Sequence, residues 1–191
     1  MANSSTKVIT GPNTVFSYLT VLEPKTPPGG GTAKYSVSLI IPKNDTVTVQ
    51  KIRDAIQAAY EEGEGRLKGN GKTVPPLGSI HSPLRDGDKD KPDDPAYKNA
   101  WFLNATSKTR PGIVDADLQE VVDPSELYSG IIGRASVNFY AYNSNGNRGI
   151  GCGLNHLQKL KDGTPLGGFS RAADDFAGLD IEVDEDEDFL G

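Results

Sequence analysis

The sequence predicts a mainly β protein: a small antiparallel barrel with one main α-helix and a long insertion rich in glycine and proline. Three observations carry that expectation. Several runs of strand length are rich in β-branched and aromatic residues, and the clearest ones alternate apolar with polar. Only one segment, Val47 to Glu62, changes to the helical period. Strands and helices do not alternate, and no segment repeats, which argues against a parallel βαβ sheet and against a solenoid. A chain of 191 residues fits one domain that needs neither disulfide nor metal to fold.

Taken in order, Val15 to Leu22 is a strand apolar on both faces that stops at Glu23-Pro24. Lys25 to Thr32, with two prolines and three glycines, is a loop. In Lys34 to Ile41, Tyr35, Val37, Leu39 and Ile41 share one face and Ser36 and Ser38 the other, so the strand is expected to be half-buried, ending at Pro42. In the helix, Val49, Ile52, Ile56, Ala59 and Tyr60 form one stripe; Asp45 or Thr46 caps its start and Gly63 ends it. Residues 63–98 hold six glycines and five prolines with no visible period, and are expected to form an exposed insertion. Asn99 to Thr106 returns to strand character. Ile131 to Tyr142 follows, with Ala135, Val137, Phe139 and Ala141 on one face and Arg134, Ser136, Asn138, Tyr140 and Tyr142 on the other. Asn143 to Asn147 reads as a hairpin turn, because Asn and Gly tolerate positive φ. Ile150, Cys152 and Leu154 alternate in the returning strand, Leu157 to Leu160 is a short helix or the strand's end, and Asp162 to Pro165 is a turn. Among small barrels with one helix, the five-stranded OB-fold is the commonest solution.

The net charge of −6 conceals an asymmetry. From Asp174 onward there are nine acids and no base, leaving a body, residues 1–173, with 20 bases against 17 acids. A weakly basic body is joined to a strongly acidic tail that buries too little apolar surface to order itself. Phe189 and Leu190 follow five consecutive acids, Asp184, Glu185, Asp186, Glu187 and Asp188. Such an end can dock in a partner's basic pocket or fold back on the body's own cations. No apolar run approaches the ~18 residues of a membrane span. The N-terminus lacks the apolar stretch of a secretory signal, so the expected location is the cytoplasm.

Motifs for catalysis and metal binding fail on inspection. Gly65 to Thr73 imitates a phosphate-binding P-loop, but five residues rather than four separate the first glycine from Gly71-Lys72, and the segment follows a helix rather than a strand. Arg85 to Asp90 imitates the start of a calcium loop, yet Lys91 stands where the sharp-turn glycine belongs and Tyr97 where the bidentate acid belongs. The single cysteine, Cys152, reads as a small buried residue, and His81 and His156 lack a partner for nucleophilic catalysis. No enzyme, cofactor or metal is expected. The polar face of Arg134 to Tyr142 is more informative: two rings, an amide and an arginine at two-residue spacing project together, as a base-stacking platform does. A second core layer is the alternative use of those tyrosines. Trp101 and Phe102 point to opposite faces, so one of them is core.

Tyr35-Ser-Val-Ser-Leu-Ile-Ile-Pro-Lys43, Pro83-Leu-Arg-Asp-Gly-Asp88, Trp101-Phe-Leu-Asn-Ala105, Gly133-Arg-Ala-Ser-Val-Asn-Phe-Tyr-Ala-Tyr142, Gly151-Cys-Gly-Leu-Asn-His-Leu-Gln-Lys159 and Pro165-Leu-Gly-Gly168 carry a family resemblance. From about Thr14 to Ala173 the chain resembles the single-stranded DNA-binding proteins of tailed bacteriophages, formerly a domain of unknown function. The resemblance implies an OB-fold that coats single strands during phage replication and recombination, and an acidic tail ending in an aromatic residue. On this reading Lys34, Arg85, Lys98, Lys108, Arg110 and Arg134 supply a cationic groove, and Tyr35, Trp101, Phe102, Tyr140 and Tyr142 stack on bases. Binding is expected to be sequence-tolerant, with log K falling by ~0.7 per phosphate neutralised as salt rises. The tail, Asp184 to Phe189, is expected to compete with DNA and to recruit a phage or host polymerase, helicase or recombinase in the cytoplasm of the infected cell. A homo-oligomer fits this reading as well as a monomer does. The alternative is a virion or assembly protein whose acidic tail makes protein–protein contacts.

Overall fold

A computed structural model of the chain describes residues 5–166. Eight strands run in the order β1 (Lys7–Ile9), β2 (Thr14–Lys25), β3 (Lys34–Pro42), β4 (Leu84–Asp86), β5 (Ala100–Ser107), β6 (Gly112–Val114), β7 (Ile132–Ser144) and β8 (Asn147–Lys161). The helices are α1 (Thr46–Glu62), α2 (Glu64–Lys68) and α3 (Gly87–Asp90).

Five of these strands close a ring. β2 pairs with β3, β3 with β5 from Tyr35↔Ser107 to Pro42↔Ala100, β5 with β8 at Thr106↔Gly153, β8 with β7, and β7 back to β2 at Thr14↔Gly133 and Val15↔Ile132. All these pairs are antiparallel except β5–β8. An odd number of strands cannot alternate direction all the way round, so one parallel pair is required for closure. β1 extends the sheet beside β7, and β6 lies parallel to β8. β4 pairs with β5 where β5 parts from β8, and His81 bridges to Gly149 in the same gap.

The inward residues are those that alternation selects. Phe16, Leu39, Ile41, Leu103, Ala135, Val137 and Phe139 are all buried in one cluster with Ile150, Cys152 and Leu154. Helix α1 adds Ile52, Ile56 and Ala59 to it. Asp45 holds the start of α1: its carboxylate accepts from the Thr48 amide at 3.2 Å and from the Thr48 hydroxyl at 2.7 Å. The Thr48 hydroxyl in turn accepts from the Gly11 amide at 2.9 Å, which ties the helix to the chain just after β1. The β7–β8 turn has Asn145 at φ 52° and Gly146 at φ 88°, the positive-φ pair of a two-residue hairpin.

Three local expectations are corrected. The first strand runs on to Lys25, whereas Leu157 to Leu160 is the end of β8, one of the two readings of that segment. The centre of β3 is buried on both faces rather than one, because Ile40 joins Tyr97, Ala100 and Phe102 in a second small cluster outside the barrel. The insertion is not simply exposed: Leu67 and Tyr97 are fully buried. Its elements are three to five residues long, too short to show a period, and they anchor through single side chains. Tyr97 donates its hydroxyl to the Ser38 hydroxyl at 2.9 Å and meets the Phe102 ring edge-on at 5.0 Å.

Candidate nucleic-acid interface

The outer surface of the barrel is set by the strand register. Val37, Leu39, Leu103 and Ala105 point inward, so Ser36, Ser38 and Ile40 on β3 and Phe102, Asn104 and Thr106 on β5 point outward. The pairs Ser36↔Thr106, Ser38↔Asn104 and Ile40↔Phe102 align them. Thr106 lies beside Gly153, Gly153 beside Asn138, and Gly151 beside Tyr140. The middle of this path is therefore floored by small residues, and rings stand at its two ends.

At one end, Lys91 follows α3 and places its ammonium 4.9 Å from the Tyr18 ring, 4.9 Å from Tyr97 and 5.8 Å from Phe102. Arg85 on β4 lies 5.2 Å from the Phe102 ring and pairs with Asp90 at 3.0 Å. Tyr18 is 61% exposed, sits in the register break of β2 between Ser17 and Thr20, and has φ 46°. A tyrosine in the left-handed region is uncommon, and such strain gathers at functional sites.

At the other end, Tyr140 lies against Gly151: a Cβ on that glycine would meet the ring at 2.6 Å. A Cβ on Gly149 would meet the Tyr142 hydroxyl at 2.8 Å. The alternate glycines of β8 let both rings lie down on the sheet. Burial, with Cys152 and Tyr142 as neighbours, raises the Tyr140 phenol pKa, so it stays a neutral donor at neutral pH.

The proposed site residues do not all gather on this path. Phe102 is fully buried, held by Tyr97 and Ile40, so it supports the face and cannot itself stack on a base. Trp101 points to the other side of β5, where Arg53 of α1 and Lys43 lie 5.0 and 5.3 Å from its ring. Arg85 is on the path, and Tyr140, at 42% exposure, is its other ring; Tyr142 is half-buried. Tyr35 and Lys34 are half-buried at the start of β3, opposite Ser107 and Lys25. Lys98, Lys108 and Arg110 are exposed in connections flanking β5. Arg134 is exposed but six residues from Tyr140 along β7, roughly 20 Å away. Asp184, Glu185, Asp186, Glu187, Asp188 and Phe189 lie outside the described residues. Sequence reasoning missed Tyr18 and Lys91. The signal for Lys91 was the charge in a loop of no period; for Tyr18 there was none, because a bulge leaves no trace in an apolar run.

Lys43 anchors this end. It bonds Asp86 at 2.8 Å and Asp88 at 2.7 Å, and the Asp88 carboxylate also accepts from the Asn99 amide at 3.0 Å. Lys43 holds both carboxylates below the usual range, and they raise the Lys43 pKa in return. The acids of the calcium-loop look-alike are thus engaged by a lysine. Among the described residues, no three His, Cys, Asp or Glu side chains gather as a metal site would need.

The decisive comparison is with a family model described as the Enterobacter phage Enc34 ssDNA-binding protein, which matches residues 6–190. The chain belongs to the Enc34 ssDNA-binding protein family. It is 29% identical over 185 residues to putative protein p50 of Acyrthosiphon pisum secondary endosymbiont phage 1, covering 93% of this chain and 96% of that protein. The single-stranded DNA-binding protein from bacteriophage Enc34 in complex with ssDNA superposes with a TM-score of 0.67 at 27% identity, over 84% of this chain and 88% of that one. The single-stranded DNA-binding protein gp2.5 of bacteriophage T7 shares the fold alone, at 17% identity and a TM-score of 0.58, over 93% of this chain and 96% of that one. The function of the Enc34 family is DNA binding and not catalysis. Burial pushes the Cys152 thiol up to about 12, where it is no nucleophile. Among the described residues, no helix is long and apolar enough to cross a membrane.

Proposed function

We propose that this chain coats single-stranded DNA without reading its sequence, along the outer face of β3, β5, β8 and β7. The observation that carries this is the placing of rings at both ends of a small-residue floor: the exposed Tyr18 under Lys91, with Arg85 nearby on β4, at one end, and Tyr140 with the half-buried Tyr142 at the other. Stacking on a ring contributes ~1–3 kcal/mol per base and does not depend on which base. Single rings at its two ends suit splayed bases, not a stacked duplex. Lys34, Lys98, Lys108, Arg110 and Arg134 lie around it and add long-range attraction. The acidic tail competes for the same cations and, once DNA displaces it, is free to bind a polymerase, helicase or recombinase. The protein works in the cytoplasm of the infected host.

Fluorescence anisotropy with labelled oligothymidylate and mixed-sequence oligonucleotides, each titrated with salt, tests the reading. Comparable affinity for both single strands, weaker affinity for a duplex and a linear fall of log K with log salt are expected. No binding to any single strand at low salt overturns it.

A further inference from the structure

The segment that imitates a P-loop faces the β7–β8 turn. Asn143 donates its side-chain amide to the Arg66 carbonyl at 3.1 Å, and Arg66 reaches back to the Ala141 carbonyl at 3.3 Å. The His81 amide bonds the Arg148 carbonyl at 3.1 Å. These contacts join two stretches of unusual charge. Neither Gly65 to Arg85 nor Leu127 to Lys161 contains an aspartate or glutamate, although the chain has 26 acids.

Arg148 sits where the two stretches meet. It lines two cavities of about 410 Å³ each, one against Gly69, Asn70, Gly71 and Asn143, the other against Pro75, Ser79 and His81. Its Nε is buried without a hydrogen-bond partner. Gly69 has φ 55°, and a Cβ there would meet the Asn143 amide at 2.8 Å and lie 3.9 Å from an Arg148 terminal nitrogen. Lys68, the last residue of α2, and Lys72 on the loop after it are exposed, and no carboxylate among the described residues pairs with them or with Arg148. The site continues the proposed path: His81 bridges to Gly149, and a Cβ on Gly149 would meet both His81 and the Tyr142 hydroxyl.

We propose that Gly69 to Lys72 and the β7–β8 turn form a phosphodiester subsite, in which Arg148, Lys68 and Lys72 hold the sugar–phosphate backbone of the strand as it leaves Tyr140 and Tyr142. This rests on the proposed single-strand binding. The loop does not hold a nucleoside triphosphate: its spacing and its place after a helix aim no amide nest at a terminal phosphate. A guanidinium and two ammoniums without competing acids suit the single charges of a diester chain.

The test compares wild type with K68Q/K72Q, with Arg148→Gln, and with the control Lys51→Gln, which removes one exposed charge on α1. Melting curves confirm that each folds. With oligothymidylate, the salt slope is expected to flatten by ~0.7 for each phosphate that the first two variants leave without its cation, and to stay at the wild-type value in the control. With methylphosphonate linkages, which carry no charge, wild type and K68Q/K72Q are expected to bind alike. Wild-type slopes in both K68Q/K72Q and Arg148→Gln overturn the subsite and leave strand binding standing. Failure of wild type to bind removes both. If inorganic phosphate at matched ionic strength shifts the same amide resonances of residues 69–72 and 145–148 as the oligonucleotide does, the site takes free anions and the proposal falls.

Discussion

Tyr140 on β7 lies opposite Gly151 on β8, and its ring occupies the space that any side chain at residue 151 would need. The contact is with the far end of the ring, from Cζ to the hydroxyl, at 2.6 to 2.8 Å. Gly151→Ala is therefore expected to lift the ring while the barrel stays folded. Binding of oligothymidylate should weaken in both Gly151→Ala and Tyr140→Ala, the latter by ~5- to 150-fold if one base stacks there. Anisotropy titration reads this out. Wild-type affinity in both variants would remove this end of the path.

Tyr18 sets stability against function. Its left-handed backbone costs ~1–2 kcal/mol that glycine would avoid. Its ring is 61% exposed, so little burial offsets that strain. Tyr18→Gly is expected to raise the melting temperature and to weaken DNA binding. Calorimetry and anisotropy on the same sample decide it: a lower melting temperature shows that the Lys91–ring contact outweighs the strain, and unchanged affinity shows that Tyr18 does not meet DNA.

Barrel and helix were legible because long elements repeat a signal. Ala135, Val137, Phe139 and Ala141 alternate over four residue pairs, and all are buried. Val49, Ile52, Ile56 and Ala59 recur at helical spacing, and all are buried too. The candidate face was half legible. Tyr140 follows from alternation, whereas which of Trp101 and Phe102 is covered does not, because nothing in the sequence shows that Tyr97, five residues before Phe102, folds back over it. Trp101 and Phe102 illustrate the limit: their opposite directions follow from strand geometry, but which side is covered depends on an insertion with no period.

The Lys43–Asp86–Asp88 cluster predicts an acid-sensitive end of the face. Both carboxylates are held below the ordinary value of 3.8, chiefly by the Lys43 hydrogen bond. Groups whose folded pKa is depressed stabilise the fold above that ordinary value, and the contribution is lost as pH falls through the folded pKa. Lys43, whose pKa is raised, keeps its contribution until pH rises past 10.5 and through the folded value. Stability measured in urea should therefore be flat at neutral pH and fall below about pH 4. Lys43→Met should shallow that fall. The same variant bares two acids on the segment that carries Arg85 and Lys91, so DNA affinity at low salt should drop at pH 7. An unchanged acid limb in Lys43→Met would show that the cluster does not couple to folding.

Deleting the chain from Leu179 removes seven of the nine acids that follow residue 173. Like DNA, this segment is rich in negative charge, and on the proposed reading it competes at low salt for the same cations at high local concentration. Truncation is expected to tighten binding at low ionic strength and to leave affinity nearly unchanged at high salt, where screening already weakens the tail's hold. The salt slope of the truncated chain should be steeper, because the full-length slope subtracts the salt-dependent release of the tail from that of the phosphates. Replacing only Phe189 and Leu190 by serine separates charge from the apolar end: affinity for DNA should stay between those of the full and truncated chains. Equal or weaker binding by the truncated protein at every salt concentration would refute competition by the tail.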